Sequence, residues 1–107
     1  MKVFITGISG LLGSTMARFL INQGHEVVGI DNMIGGVEGN VPESATYIKG
    51  DILNVELLKE DMKGCEIVFH TAALPYEGLS VFSPMVTATS IVSGTIATAV
   101  AAIHNKI

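Results

Sequence analysis

The chain has 107 residues, which is the length of a single domain, because domains usually contain about 100–200 residues. With 49% hydrophobic and only 15% charged residues, its composition excludes a disordered chain. Six Lys and Arg against ten Asp and Glu give a net charge of −4 with no basic cluster, so we expect neither nucleic-acid binding nor electrostatic attachment to a membrane.

Short apolar runs alternate with helical patterns along the chain, which is typical of βαβ units around a parallel sheet. Loops are predicted between the second and third strands and between the fourth strand and Pro84, where glycines and prolines collect. Asn54 is the predicted cap of the second helix. The predicted elements are strand 3–5, helix 11–22, strand 26–30, strand 46–49, helix 55–62, strand 66–71 and a long helix from 84 to about 104.

Right-handed crossovers between these strands give the sheet order 3-2-1-4 and leave strand 4 at an open edge. The sequence stops just after a helix, where another strand is expected to follow. We therefore predict an α/β fold with a Rossmann-type parallel sheet that forms the N-terminal half of a doubly wound fold. Residues 1–107 are expected to form one partial domain.

The first strand leads into a turn rich in glycine, T-G-I-S-G-L-L-G at Thr6–Gly13. A pyrophosphate must approach free N–H groups at the start of a helix, and a Cβ in the turn would hold it away. Gly13 would also let the helix pack closely on the sheet. The spacing GxxGxxG differs from the fingerprint GxGxxG, so a tight turn without a ligand remains the alternative.

Two acidic residues follow neighbouring strands of the predicted sheet. Asp31 ends strand 2, 18 residues after Gly13, where a carboxylate can accept hydrogen bonds from an adenosine ribose and repel a 2′-phosphate. This favours NAD over NADP, and the alternative is a turn cap shared with Asn32. Asp51 ends strand 3 and could face the adenine amino group, although Gly50 and Asp51 together are also ordinary turn residues.

His70 and Cys65 are interpreted as structural residues. A lone histidine at the end of an apolar strand is more often hydrogen-bonded within the fold than used as a base. A single cysteine excludes an intrachain disulfide and a multi-cysteine metal site, and it fits a small buried thiol in a cytoplasmic protein.

The uncharged stretch 86–103 is about as long as a membrane-spanning helix. Its many Ser and Thr residues argue against a membrane span, and we expect a helix buried inside the protein. The small residues Ser90, Gly94, Thr98 and Ala102 recur every four positions. This stripe could receive a helix of another subunit or pack on the chain's own sheet, and the sequence leaves both alternatives open.

Together these segments resemble the extended short-chain dehydrogenase/reductase family, in particular its UDP-galactose 4-epimerase-like epimerases and dehydratases. The glycine turn has the TGxxGxxG form of the extended members, and the similarity spans essentially the whole chain. The other matching segments are G-H-E-V-V-G-I-D-N at Gly24–Asn32, G-D-I at Gly50–Ile52, V-F-H-T-A-A at Val68–Ala73 and V-S-G-T at Val92–Thr95.

The resemblance implies a set of NAD-binding residues. Ser90 stands where these epimerases typically carry an Asn that contacts the cofactor, so a hydroxyl would replace part of that contact. The implied residues are Gly7, Gly10, Leu11, Leu12 and Gly13 for the pyrophosphate, Asp31 and Asn32 for the adenosine ribose, Asp51 and Ile52 for adenine, and Thr71, Ala72 and Ala73 near the nicotinamide-side ribose.

The catalytic residues of the family do not match any position in this chain. The family uses a Tyr-x-x-x-Lys pair and a Ser or Thr, whereas Tyr47 is followed four residues later by Asp51 and Tyr76 by Ser80. The resemblance therefore implies that the catalytic half lies outside these residues and that this chain alone is inactive.

For the complete protein, the resemblance implies an NAD-dependent epimerase or dehydratase that acts on a nucleotide sugar by transient hydride transfer to NAD. A truncated or regulatory NAD-binding module without activity is the alternative. The resemblance also implies a homodimer formed through the helix at about 85–104.

Overall fold

The computed structural model describes all 107 residues and contains a parallel sheet of four strands in the order β3-β2-β1-β4, as predicted. The strands are β1 (Lys2–Thr6), β2 (Glu26–Asp31), β3 (Thr46–Lys49) and β4 (Ile67–His70). The helices are α1 (Leu11–Asn22), α2 (Val55–Asp61), α3 (Glu77–Phe82) and α4 (Pro84–His104). A short 3₁₀ turn covers Glu38–Asn40.

Helices cover both faces of the sheet, which explains why β1 consists almost entirely of buried apolar residues. Side chains alternate across the sheet, so Phe4 joins the cluster beneath α2 and α4 while Val3 and Ile5 join the cluster beneath α1. Leu58 of α2 and Ala101 of α4 are fully buried in the first of these clusters. Because all four strands are parallel, their carboxyl ends lie at the same edge of the sheet.

Most predicted boundaries hold, and Asn54 caps α2 as expected because its Oδ1 accepts a hydrogen bond from Leu57 N at 3.1 Å. The predicted loop before Pro84 was wrong in part, since it contains the short helix α3. Glu77 in the first turn of α3 carries a negative charge that suits a helix N-terminus. Gly78, whose presence indicated a loop, costs a helix about 1 kcal/mol, and the charge of Glu77 offsets part of this cost.

Helix α4 runs the predicted length but contains a π-helical turn at Thr89–Ser93. Hydroxyl groups around this turn bond back to the helix, because Thr95 Oγ1 donates to Ile91 O at 2.6 Å and Thr98 Oγ1 donates to Gly94 O at 2.9 Å. Such bonds compete with the regular backbone pattern. The apolar periodicity of the sequence gives no sign of this irregularity.

The expectation that α4 is buried on most faces is wrong. The helix is long and apolar enough to cross a membrane, judged only by length and composition, yet only 22% of its most apolar window is buried. Its inward face is made of small residues, which pack on the chain's own core. Its outward face carries large apolar side chains, among which Ile96 is 59% and Ile103 is 74% exposed.

The stripe of small residues in α4 belongs to this inward face. Gly94 and Thr98 are buried, and a Cβ on Gly94 would overlap the side chain of Ile52. Ala102 packs on the cluster that contains Phe4. Of the two alternatives left open by the sequence, the stripe therefore packs on its own chain.

Candidate functional site

The carboxyl ends of the four strands open into one cavity of about 770 Å³. Gly7 follows β1, Asp31 ends β2, Gly50 follows β3 and Thr71 follows β4, and all four residues line its wall. The edge formed by the carboxyl ends of parallel strands is where open α/β sheets bind ligands. The volume lies within the range of small-molecule sites.

The cavity brings together every residue that the sequence singled out for cofactor binding. They come from the four strand ends, the start of α1 and the long helix α4, so that only the folded chain makes them neighbours. These lining residues are Gly7, Gly10, Leu11, Leu12, Gly13, Asp31, Asn32, Asp51, Ile52, Thr71, Ala72, Ala73 and Ser90.

Two glycines of the turn are required by close packing of the backbone. Gly7 has a φ of +75°, and a Cβ there would lie 2.8 Å from the Cα of Ala72. A Cβ on Gly13 would overlap the carbonyl oxygen of Gly7. Gly10 differs, since its Cβ would meet only that same carbonyl oxygen at 3.3 Å. Gly7 and Gly13 therefore serve the fold, whereas Gly10 leaves space that opens on the cavity.

The first turn of α1 presents free hydrogen-bond donors to the cavity. Gly10 is the N-cap and offers no capping side chain. The backbone N–H groups of Leu11, Leu12 and Gly13 donate to no acceptor in the protein, whereas Ser14 N already donates to Gly10 O at 3.0 Å. Because the helix dipole is positive at this end, the three N–H groups are able to donate hydrogen bonds to an anion.

The Asp31 carboxylate is buried and held by two backbone donors. Its Oδ2 accepts from Ser9 N at 2.9 Å and its Oδ1 accepts from Met33 N at 2.8 Å. The turn cap considered for Asp31 is therefore present, and Asn32 forms a similar turn with Ile34 N at 2.9 Å. Each carboxylate oxygen has a further lone pair, so the Asp31 carboxylate can still accept hydrogen bonds from a ligand in the cavity.

Met33 has a strained backbone, with a φ of +68° in the left-handed region that side chains other than glycine rarely adopt. This conformation aims its N–H at Asp31, and Ser9 Oγ donates to its sulfur at 3.2 Å. Residues held in such conformations cluster at functional sites, where the surrounding contacts maintain them. The hydrogen bond from this strained residue thus helps to fix the orientation of the Asp31 carboxylate.

Asp51 is exposed and takes part in an ordinary turn, because its Oδ1 accepts from Leu53 N at 2.9 Å. It also lines the cavity, on the side where β3 is the edge strand of the sheet. The turn expected from the sequence is thus present, and the contact with adenine stays a prediction. The carboxylate is held less firmly than that of Asp31, which has two backbone donors and almost no exposure.

Comparison with known proteins bears on this arrangement. The NAD dependent epimerase/dehydratase family model matches residues 3–107. A UDP-glucose 4-epimerase of Klebsiella pneumoniae is 36% identical over 105 residues, which cover 90% of this chain and 76% of that protein. The chain belongs to the NAD-dependent epimerase/dehydratase family.

Solved structures of epimerases share the fold of this family member. The UDP-glucose 4-epimerase of Thermotoga maritima with UDP-glucose has a TM-score of 0.96 and 27% identity, covering 100% of this chain and 35% of that one. The Brucella ovis UDP-glucose 4-epimerase in complex with NAD has a TM-score of 0.92 and 32% identity, covering 98% and 33%. Among curated relatives, the chain spans 26% of the Streptomyces lividans UDP-glucose 4-epimerase. It thus corresponds to about a quarter to a third of these three proteins.

Two loops of this epimerase/dehydratase-family chain form part of the cavity wall, although the sequence predicted them only as loops and not as part of the site. The loop at 34–36 and the loop at 74–76 line it, and a Cβ on Gly35 would lie 2.5 Å from the hydroxyl oxygen of Tyr76. Gly35 has a φ of +80°. The Gly35–Gly36 pair was the available signal, since adjacent glycines indicate a close approach of backbone to another group. The other lining residues that were not predicted are Ile30, Gly50, Leu53, Met85, Val86 and Thr89.

His70 does not line the cavity, and its two ring nitrogens already have partners. Nδ1 lies 2.7 Å from Thr6 Oγ1 and Nε2 lies 3.0 Å from Thr95 Oγ1. Burial lowers the pKa of His70 from its usual 6.5. These contacts support the interpretation of His70 as a structural residue rather than a base. Cys65 is likewise buried, and burial raises the pKa of its thiol.

Proposed function

We propose that the cavity binds NAD, with the pyrophosphate at the start of α1. The observation that carries this proposal is the set of three free N–H groups of Leu11, Leu12 and Gly13 at the wall of the cavity. Gly10 adds no side chain that would hold a phosphate away from them. The site fits the cofactor because it offers donors and space where the anion requires both.

The remaining roles follow from where each residue lies. The Asp31 carboxylate accepts hydrogen bonds from the adenosine ribose hydroxyls and disfavours a 2′-phosphate, so NAD is preferred to NADP. Asn32 assists at that ribose, and Asp51 and Ile52 flank the adenine. Thr71, Ala72 and Ala73 lie along the nicotinamide-side ribose, and the Ser90 hydroxyl makes a contact with the cofactor.

For the complete protein we propose an epimerase or dehydratase of nucleotide sugars. NAD supplies reversible hydride transfer with a sugar hydroxyl, and residues 1–107 bind and orient it. The support is that the similar proteins from Klebsiella pneumoniae and Thermotoga maritima are named UDP-glucose 4-epimerases. No residue of this chain is assigned to proton transfer, and burial raises the pKa of Tyr47, the reverse of what a base requires.

A protein that binds NAD without turnover is the second candidate. It is considered because residues 1–107 by themselves contain a cofactor cavity and no Tyr-x-x-x-Lys pair, since Tyr47 and Tyr76 are followed four residues later by Asp51 and Ser80. Incubation of the protein with NAD and UDP-glucose, followed by chromatography of the sugar nucleotides, separates the two. Formation of the 4-epimer supports the enzyme, and NAD binding without conversion supports the binding module.

Replacement of Gly10 by alanine tests the cofactor site at a small cost to the fold. The added methyl group meets one backbone oxygen of the protein, that of Gly7 at 3.3 Å, and adds bulk to a residue that lines the cavity next to the free N–H groups. We expect calorimetric titration to show NAD binding about tenfold weaker, a loss of about 1.4 kcal/mol. The wild-type protein should bind NADP more weakly than NAD.

Gly39→Ala is the matched control, because a Cβ at Gly39 meets nothing within 4 Å and Gly39 lies outside the cavity. Both variants should melt close to the wild-type temperature, and Gly39→Ala should bind NAD as the wild type does. A folded protein that binds no NAD, or a Gly10→Ala variant with unchanged affinity, would contradict the proposed site.

We also propose that the outward face of α4 forms a homodimer. Val92, Ile96, Val100 and Ile103 follow one face at helical spacing, and their exposed fractions lie between 44% and 74%. A face of this kind can pair with its own copy about a twofold axis, since the same apolar side chains then meet across the interface. The stretch 86–103 contains no charged residue that would oppose the pairing.

The dimer is tested by light scattering of Ile96→Arg, which introduces a charge at the centre of the face. Phe19→Arg is the control, because Phe19 is 62% exposed, close to the 59% of Ile96, and lies on α1 at the opposite face of the sheet. We expect the wild type and Phe19→Arg to be dimers and Ile96→Arg to be a monomer. A wild-type monomer at high micromolar concentration would rule out this interface.

A further inference from the structure

His70 connects three elements of the fold directly behind the cavity. Its own strand is β4, Thr6 belongs to the end of β1, and Thr95 belongs to α4. The ring nitrogens lie 2.7 Å from Thr6 Oγ1 and 3.0 Å from Thr95 Oγ1. A second α4 hydroxyl, that of Thr98, lies 3.5 Å from Nδ1.

The bonds of the threonines determine which ring nitrogen carries hydrogen. Thr95 Oγ1 donates its only hydrogen to Ile91 O at 2.6 Å, so it must accept from His70, and Nε2 is therefore protonated. Thr6 Oγ1 accepts from Ala72 N at 3.2 Å and keeps its own hydrogen for Nδ1. Thr98 Oγ1 donates its hydrogen to Gly94 O and lies 3.5 Å from Nδ1, so the much shorter contact with Thr6 decides the state of this nitrogen. We therefore assign a neutral ring, with Nε2 as donor and Nδ1 as acceptor.

Both routes from the ring lead to walls of the cavity. Thr6 directly precedes Gly7, and its Oγ1 also holds the N–H of Ala72, which lines the cavity. Thr95 bonds to Ile91 O within the π-helical turn, and that turn carries Ser90 into the cavity wall. One imidazole therefore connects the glycine turn, the end of β4 and the π-helical turn.

We propose that His70 is a positioning residue of the NAD site, which its neutral, Nε2-protonated ring keeps aligned through Thr6 and Thr95. The proposal rests on the proposed binding of NAD in the cavity. The ring touches no cofactor itself; it sets the relative position of the backbone on one wall and of Ser90 on the other. A role in folding alone would not couple the state of the ring to NAD affinity.

Protonation of the ring should break this alignment. A hydrogen on Nδ1 would face Thr6 Oγ1, which already accepts from Ala72 N and would have to turn its own hydrogen away. The side chains facing the ring from β1 and α4 are the hydroxyls of Thr6, Thr95 and Thr98, none of which titrates at neutral pH. Burial favours the neutral ring, so the ring and its bonds persist at pH 7.

The sign of the pH effect follows from the lowered pKa. The unfolded chain binds its proton near pH 6.5, and the folded chain binds it only at lower pH, so stability falls as pH drops through this interval and then levels off. NAD affinity should fall at the lower end of this range and below it, where the ring of the folded chain takes up its proton. By reciprocity, NAD binding should lower the pKa of His70 further. The size of this pKa shift is the logarithm of the ratio between the NAD affinities of the neutral and the protonated protein.

The test combines nitrogen NMR of the imidazole with calorimetric titration of NAD between about pH 5 and pH 8, the range in which histidines titrate. We expect the Nε2-protonated tautomer at pH 7 and a lower pKa of His70 when NAD is bound. His70→Phe, which keeps the ring volume but no hydrogen bond, no longer ties Thr6 to Thr95 and should bind NAD about tenfold more weakly, a loss of about 1.4 kcal/mol. Its NAD affinity should no longer change over the interval in which His70 titrates.

Two milder variants keep the test valid if His70→Phe does not fold. His70→Asn retains an acceptor near Nδ1 for Thr6, and His70→Gln retains a donor near Nε2 for Thr95, so each should bind NAD with an affinity between those of the wild type and His70→Phe. His104→Gln is the control, because His104 is exposed and lies outside the cavity. It should keep the wild-type pH profile.

Three results would overturn the proposal. One is the Nδ1-protonated tautomer at pH 7, and another is a pKa of His70 that NAD does not change. The third is a set of His70 variants that melt at lower temperature but bind NAD with wild-type affinity and pH dependence, which would leave a structural role alone. Absence of NAD binding by the folded wild-type protein would instead overturn the proposed function, and this role with it.

Discussion

Replacement of Gly13 by alanine is expected to lower the free energy of unfolding by about 1–3 kcal/mol, the usual cost of adding a methyl group to a filled site. The added Cβ would overlap the carbonyl oxygen of Gly7 and lie 2.9 Å from Thr71 Oγ1. The carbonyl belongs to the backbone and cannot rotate away, so α1 must move from the end of β1. That movement displaces the free N–H groups, and NAD binding should be lost with it.

Gly7→Ala should be at least as damaging. A Cβ there lies 2.8 Å from the backbone N of Ala72, and the φ of +75° adds about 1–2 kcal/mol of strain for a residue with a side chain. Urea denaturation followed by circular dichroism measures both variants. Gly78→Ala is the control, because its Cβ meets nothing within 4 Å and its place in α3 favours alanine. A Gly13→Ala variant that unfolds at the wild-type urea concentration would contradict the packing described.

Removal of the Asp31 carboxylate is the second large effect we expect. In Asp31→Ala the N–H groups of Ser9 and Met33 lose their acceptor in a buried position, and each orphaned donor costs about 1–3 kcal/mol. Met33 would also lose the hydrogen bond that accompanies its strained backbone. For NAD, loss of a charged acceptor corresponds to about 10- to 100-fold weaker binding. NADP should lose much less, because its 2′-phosphate no longer meets a carboxylate.

Two further variants isolate the cause. Asp31→Asn keeps the shape but places an NH₂ group against one of the two backbone donors, so it should fall between the wild type and Asp31→Ala. Asp51→Ala should change stability by no more than about 0.5 kcal/mol, since Asp51 is exposed and water can replace its single turn bond. The measurements are calorimetric titration with NAD and NADP and urea denaturation. Equal affinity of wild type and Asp31→Ala for NAD would exclude Asp31 from the site.

The sheet and its strand order were predictable because they depend on few rules. Continuous apolar runs such as Val3–Ile5 require burial on both faces, and parallel strands joined by helices follow right-handed crossovers. The gathering of the predicted site residues follows from the same rules, since the residues after parallel strands meet at one edge. The sequence therefore predicts that Asp31 and Thr71 lie near Gly7.

Features that depend on contacts between distant segments were not predictable. The approach of Tyr76 to Gly35 joins two loops whose paths are set by the rest of the fold. The π-helical turn arises where hydroxyls such as that of Thr95 bond back to the helix, and apolar periodicity does not record this. The exposure of Ile96 was missed because hydropathy reports how apolar a helix is and not which of its faces has a partner within the chain.

The wall of the cavity contains no Lys and no Arg, and its only charged residues are Asp31 and Asp51. A site that recognises phosphate through main-chain amides has no side chain that acetylation or another lysine-directed modification could neutralise. Chemical regulation of cofactor occupancy through lysines would therefore have to act from beyond this wall. For the same reason, substitutions that alter the surface charge of the protein should leave the proposed phosphate-binding N–H groups intact as long as the backbone path through Gly7–Gly13 is preserved.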